Sequence, residues 1–316
     1  MPSECEASGM QPECEASVST TNVGFANLEG FKFKEVLNSD ITRKSIFVLL
    51  EKDGKDAILI CDKQPFAENS SEADKWIQGS KMNFIVQNDV YGNYDLVIPA
   101  ELNGTKSTLI YPANEKLIIK YKRQDRYLIT ETGEDYSTIT LPHILESKLS
   151  VQWVYNCLDH KSEQDRLLFE DPDEHNGFQL YPDLKWNGET MENLYCQAIV
   201  LRRGIKSVRD LTGDDIPMLE NVMTKSKKVL KERYGLNPAQ LKAYFHYQPS
   251  YYHLHIHLVR FGYDAPGGSM YSIPVDVAIG NLRIAGDYYK RATLPFVGKA
   301  LDPLCQKYKA AGKIDF

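Results

Sequence analysis

Basic charge is in short supply in this 316-residue chain. Its 37 lysines and arginines stand against 43 aspartates and glutamates, for a formal net charge of −6 and a pI near 5.7. Non-specific affinity for a nucleic-acid duplex is carried by cationic surface, so a DNA duplex is not an expected partner; a small anionic ligand needs no more than a local basic pocket. Long hydrophobic runs are missing too. No stretch approaches a membrane span, and the amino terminus has no charged-then-apolar leader, so no membrane association is expected. The six cysteines (Cys5, Cys14, Cys61, Cys157, Cys196 and Cys305) show neither Cys-x-x-Cys nor disulfide spacing, which points to a reducing compartment. The expectation is a soluble intracellular protein.

A hydrophobic content of 42% is enough for a full core, and the length suits two domains. Residues 1–22 repeat Glu-Cys-Glu-Ala-Ser at Glu4–Ser8 and Glu13–Ser17; small and acidic, they are expected to form a disordered tail. Residues 23–140 read as strand-rich, with strands at Ile46–Leu50, Ala57–Cys61, Asn83–Val86, Tyr94–Ile98 and Ser107–Ile110. Asp53-Gly54 suits a hairpin turn between the first two, and a helix is expected over Asn114–Lys122. These strands have little room for a private core, which suits a small sheet completed by a partner. Residues 143–316 read as mixed: a helix over Ser150–Leu158 and strands at Arg166–Glu170, Phe178–Tyr181 and Leu194–Leu201. A long helix over Asp215–Tyr234 is boxed by Thr212 and Asp215 and stopped by Gly235. Its basic run Lys225–Lys228 reads as a solvated face. Strands Leu241–Tyr247 and Tyr252–Phe261 follow, broken by Pro249. The fold class expected is α+β.

Four of the seven histidines, His246, His253, His255 and His257, fall within twelve residues. In His253-Leu254-His255-Ile256-His257 the rings alternate with aliphatics. On an extended strand such positions share one face, about 7 Å apart, while Leu254, Ile256 and Leu258 turn to a core. One satisfied core histidine is commonplace; three on a face, with a fourth nearby, suit chemistry at phosphorus. There one imidazole attacks while its neighbours handle protons and charge. A zinc site is the competing reading, but no Cys-x-x-Cys or His-Glu-x-x-His accompanies the row.

The His-φ-His-φ-His pattern (φ, an apolar residue) resembles the signature of the histidine-triad nucleotide hydrolases and transferases. Its surroundings sharpen the likeness: Tyr247-Gln248-Pro249-Ser250-Tyr251-Tyr252, Leu180-Tyr181-Pro182-Asp183-Leu184-Lys185-Trp186, Gln152-Trp153-Val154-Tyr155-Asn156, Arg202-Arg203-Gly204-Ile205 and Tyr111-Pro112-Ala113. Together these resemble the scavenger mRNA decapping enzyme family, from about residue 26 to the carboxyl terminus. The resemblance implies a homodimer with exchanged amino-terminal domains and a carboxyl-terminal histidine-triad domain. It also implies hydrolysis of 7-methylguanosine cap dinucleotides and short capped RNA, releasing 7-methylguanosine monophosphate. His255 would be the nucleophile. His253, His257 and His246 would contact phosphate oxygens and handle protons, their roles undivided at this level. Trp153 would stack on the methylated base, with Leu184 covering the other face and Glu163 accepting from the guanine edge. Asp183 would lie near the sugar; Ser250, Tyr251 and Lys185 would meet the phosphates, with no metal and no cofactor. Asn88 and Tyr91 would come from the amino-terminal domain as it closes. Two alternatives stay open: a hydrolase of another dinucleoside polyphosphate, and a protein that binds caps without cleaving them. Family members with nuclear import carry an amino-terminal basic cluster; here no Lys or Arg precedes Lys32, so cytoplasmic residence is expected and nuclear entry stays open.

Overall fold

The computed structural model describes residues 25–66, 69–147, 151–265 and 271–315. The repeat and the tail expected at 1–22 lie outside them, as does Ser150. Helix and antiparallel sheet are mixed throughout, as expected of an α+β chain. The chain divides into two units at Arg123/Gln124.

In the first unit, strands β1 (Lys32–Asp40), β2 (Ser45–Lys52) and β3 (Lys55–Lys63) form a meander. The hairpin β4 (Lys81–Asn88) and β5 (Tyr91–Val97) stands apart, and β6 (Thr105–Ile110) returns to pair with β3. Asp53 and Gly54 both adopt positive φ (52° and 71°), so the β2–β3 turn has the twist that a tight hairpin requires. The helix Glu115–Tyr121, capped by the Asn114 side chain, covers one face of the meander. Two elements were not read from sequence. One is β1; the other is the helix Ser70–Gly79, whose Asn69 cap and Glu72 bond each other reciprocally.

The private core of this unit is small. Leu37, Leu49 and Ile58 are buried, with Phe47, Ile60, Ile110 and the helix packed against them. Every residue of β4 and β5 is exposed, including Met82, Phe84, Ile85, Val86, Tyr94, Leu96 and Val97. Isolated two-stranded hairpins are marginal in water, and so broad an apolar ribbon marks an interaction surface.

The second unit is built on a six-stranded antiparallel sheet in the order β13-β11-β12-β10-β9-β8. Its strands are β8 (Phe169–Asp171), β9 (Phe178–Pro182), β10 (Tyr195–Val200), β11 (Leu241–His246), β12 (His255–Arg260) and β13 (Ser272–Pro274). One face packs against the helix Ile216–Tyr234, which buries Met218, Leu219, Val222, Met223 and Leu230. Thr212 and Asp215 make the expected capping box, and Gly235 ends the helix at φ 68°. The opposite face carries the short helix Gln152–Leu158, which packs Val154, Cys157 and Leu158 on Tyr181 and Ile199.

Four expectations need correction. The domain boundary expected at 140–143 falls earlier, because β7 (Arg126–Glu131) pairs with β14 (Leu294–Lys299) inside the second unit. The strand expected over Arg166–Glu170 shrinks to Phe169–Asp171, since Gln164–Arg166 forms a 3-10 turn. The strand expected from Tyr252 begins at His255, so His253 precedes it in a bend. The run Lys225–Lys228 is not uniformly solvated: Lys225 pairs with Asp171 at 2.6 Å, and Ser226 is buried.

Candidate active site

β12 lies between β10 and β11, and its register decides what surrounds the histidines. His257 stands opposite Gln197 on β10 and Tyr244 on β11; His255 stands opposite Ile199. Leu254, Ile256 and Leu258 point into the main core, as alternation requires, and the imidazoles take the other face. His253, although ahead of the strand, is buried with them. The His255 and His257 ring centroids are 4.9 Å apart, and His246, ending β11, brings its ring within 4.1 Å of His257.

Each ring of the row is tied by one nitrogen. His255 Nδ1 lies 2.8 Å from the His253 carbonyl, and His253 Nε2 lies 2.8 Å from the Val200 carbonyl. A carbonyl can only accept, so Nδ1 of His255 carries the proton and its Nε2 is left with a lone pair. His257 Nδ1 meets the Tyr195 hydroxyl at 2.8 Å. The Nε2 atoms of His246, His255 and His257 are all buried, with no hydrogen-bond partner among the described residues. Three unpaired ring nitrogens in one buried cluster are costly unless a ligand meets them. Burial keeps the rings neutral: it pushes His255 and His246 down to about 4, and His257 well below the ordinary histidine value. The Lys185 ammonium adds to the depression at His246 and His257.

Beside this cluster opens a cavity of about 260 Å³, bordered by Trp153, Glu163, Asp183, Leu184, Lys185, Ser250 and Tyr251. Seven candidate side chains from four separate places in the sequence thus border one space. Trp153 is 46% exposed and Leu184 is 83% exposed, so both offer apolar surface to a ligand. The Tyr251 ring meets Trp153 edge-on at 4.9 Å and stacks on His255 at 3.9 Å, joining the cavity to the histidines. Glu163 holds a left-handed backbone (φ 54°) and pairs with Arg166 at 2.5 Å, while Arg166 also donates to the Pro182 carbonyl at 2.7 Å. Asp183 accepts from the Lys185 amide at 2.9 Å and from Gln197 Nε2 at 2.5 Å. Trp186 is structural: it is buried, with its indole N–H on the Thr190 carbonyl. Among the described residues, no three His, Cys, Asp or Glu groups are arranged to hold a metal ion.

Residues 26–124 match the family model for the scavenger mRNA decapping enzyme (DcpS) N-terminal domain, and residues 152–271 match the scavenger mRNA decapping enzyme C-term binding model. The chain belongs to the scavenger mRNA decapping enzyme family. It is 49% identical over 300 residues to the m7GpppX diphosphatase of Ascaris suum, covering 94% of this chain and 99% of that one. It is 46% identical over 288 residues to that of Caenorhabditis elegans (90% and 93%), and 42% over 291 residues to that of Homo sapiens (89% and 86%). The stretch matched to the decapping family's C-terminal model runs from the helix of Trp153 through all four clustered histidines.

Asn88 and Tyr91 belong to the amino-terminal unit. They pair with each other across the β4–β5 turn, where Asp89 has φ 51° and Tyr91 is exposed. Three residues of the site were missed in the sequence: Tyr195, Gln197 and Arg166. Tyr195, Gln197 and Ile199 alternate along a strand that was expected, but which of them faces the histidines depends on pairing with β12. Arg166 falls within the strand expected over Arg166–Glu170, in which its reach to Glu163 cannot be seen.

Proposed function

We propose that the protein hydrolyses the 5′–5′ triphosphate of 7-methylguanosine cap dinucleotides and short capped RNA fragments, releasing 7-methylguanosine monophosphate. The observation that carries this reading is the untied, neutral Nε2 of His255 beside a cavity bordered by an indole and carboxylates. That nitrogen attacks the phosphorus next to 7-methylguanosine. The bond from this phosphorus to the bridging oxygen breaks, and the remainder leaves as a nucleoside diphosphate or its short RNA equivalent. Water then attacks the same phosphorus, returns the imidazole and frees the monophosphate. His246 and His257 bind phosphate oxygens and spread developing charge, with Lys185 and Ser250 beside them; His253, its proton held by the Val200 carbonyl, fixes the His255 ring through its own carbonyl, and Tyr251 packs its ring on His255.

Selection rests on the base. The positive ring of 7-methylguanine prefers an electron-rich face, supplied by Trp153, with Leu184 opposite. Glu163, held by Arg166, takes the guanine edge, and Asp183 the sugar side. In the same reading the working form is a homodimer with exchanged amino-terminal units. Its apolar β4–β5 hairpin finds cover there, and Asn88 and Tyr91 complete the closed site. The exposed ribbon of Met82, Phe84, Ile85 and Val97 supports this.

Single-turnover incubation of wild type and His255→Asn with phosphate-labelled cap dinucleotide tests the proposal. Release of 7-methylguanosine monophosphate by wild type alone, with the variant still binding cap, is expected. Binding without turnover by wild type would make this a cap-binding protein. Equal cleavage of unmethylated dinucleotides would favour a general dinucleoside polyphosphate hydrolase.

A further inference from the structure

His255 and His257 are neighbours on one strand face, yet their tied nitrogens meet partners of different chemistry. His255 Nδ1 faces a backbone carbonyl, which accepts and never donates; His257 Nδ1 faces a phenol, which can do either. Tyr195 and His257 are both buried, Tyr195 wholly so. Tyr244 stacks on His257 at 5.5 Å, and its own buried hydroxyl lies within reach of the Tyr195 hydroxyl. Two arrangements are therefore open to the Tyr195–His257 bond. Either the phenol donates to the ring, or the ring donates to the phenol and the phenol turns its proton to the poor acceptor on Tyr244. A neutral imidazole nitrogen is a far better acceptor than a phenol oxygen, whose lone pair is delocalised into its ring, so the first arrangement wins.

We infer that Tyr195 is a positioning residue that holds His257 as the Nε2–H tautomer, opposite to the Nδ1–H tautomer of His255. One ring then presents a lone pair to the unpaired space of the cluster while its neighbour presents an N–H. Under the proposed function, on which this assignment of purpose rests, the lone pair is the nucleophile. The N–H of His257 donates a hydrogen bond to an oxygen of the departing diphosphate while staying uncharged. A diphosphate leaves without needing a proton near neutral pH, so His257 serves by donating and not by transferring. Were both rings Nδ1–H, two lone pairs would face the phosphate oxygens and repel them.

Tautomers are read directly from long-range proton–nitrogen spectra of the full-length protein carrying histidine labelled with nitrogen-15 in both ring positions. The His257 signals are assigned by their loss in His257→Asn. Wild type is expected to show the proton on Nδ1 in His255 and on Nε2 in His257. In Tyr195→Phe the His257 Nδ1 resonance should move to that of an unbonded ring nitrogen while His255 stays in place. In the same variant kcat on cap dinucleotide should fall about tenfold or more, with KM within about twofold. A wild-type His257 protonated on Nδ1 would overturn the inference, whether or not the variant folds. So would a Tyr195→Phe spectrum in which that resonance does not move. Opposite tautomers in a wild-type protein that cleaves no cap would sink the proposed function and leave the tautomer assignment standing.

Discussion

Tyr251 lies flat against His255, with ring centroids 3.9 Å apart and planes 14° from parallel. The contact removes water from one face of the imidazole, and it belongs to a chain: the Tyr251 hydroxyl donates to Gln197 Oε1 at 3.1 Å, and its ring edge touches Trp153. Burial drives the Tyr251 phenol far above its ordinary range, so the hydroxyl stays a donor. The stack and the hydroxyl can be separated. Tyr251→Phe keeps the ring and should lower kcat/KM on cap dinucleotide by a few-fold at most. Tyr251→Leu loses an aromatic contact worth about 0.5–1.5 kcal/mol and should cost up to about tenfold. Steady-state kinetics of the pair decide it, and equal losses would place the effect in the hydroxyl.

The depressed basicity of the clustered histidines sets the acid limit of activity. With His255 and His246 held near 4 by burial, the lone pair of His255 persists two units below the ordinary histidine range. The kcat/KM profile should stay level from pH 8 down to about 5 and fall below that. An acid limb near 6.5 would show that the rings are more solvated than the fold implies. Stability moves in the same window. The unfolded chain takes up protons near 6.5 where the native rings do not, so the contribution is intact above that pH. It is lost as pH falls towards 4, by on the order of 3 kcal/mol for His255 alone. Chemical denaturation at pH 7 and pH 5 should show the loss.

Local patterns carried most of what was legible beforehand. The alternation around His255, the Asp53-Gly54 turn and the Thr212-to-Gly235 limits of the long helix each lie within a few residues of their own cause. The helix at Ser70–Gly79 is announced just as locally, since Asn69-Ser70-Ser71-Glu72 is a capping signature, though it sits among strands on both sides. The β7–β14 pair was beyond such reading. Tyr127-Leu128-Ile129 finds its partner across Val297, far away in the chain, and no local periodicity announces it. Tyr195 and Gln197 failed for the same reason. Their strand was legible, but the face they present is a property of the register with β12.

Arg209 and Glu131 form an ion pair with both side chains fully enclosed, Nη2 to Oε1 at 2.7 Å. Glu131 also accepts from Thr140 and from the hydroxyls of Tyr247 and Tyr308 and, at 3.1 Å, from Gln248 Nε2. Tyr247 and Gln248 begin the loop that carries Ser250 and Tyr251, so this pair anchors one border of the site to β7. Arg209→Met strands a buried carboxylate and should cost about 3–5 kcal/mol of stability. Arg209→Met with Glu131→Gln removes the orphaned charge and should recover part of that loss. Denaturant midpoints of the three proteins test it; a double variant no more stable than the single would point to packing instead of charge.

Gln197 holds two site residues at once, donating to Asp183 Oδ2 from Nε2 and accepting the Tyr251 hydroxyl on Oε1. The amide is suited to this because its two ends are a donor and an acceptor. Gln197→Glu keeps the acceptor for Tyr251 but turns the donor into a second carboxylate against Asp183. Two carboxylates so placed share one proton, and its pKa rises because both cannot ionise together. At low pH that proton replaces the lost N–H and the arrangement survives. As pH rises the proton leaves, the carboxylates repel, and Asp183 and Tyr251 part. The variant should therefore approach wild-type kcat/KM near pH 5 and fall away towards pH 8, where wild type is level. Gln197→Met, which removes both bonds without adding charge, should lose activity equally at both ends. Profiles of the two variants that run parallel to wild type would show that Gln197 fills space and positions neither neighbour.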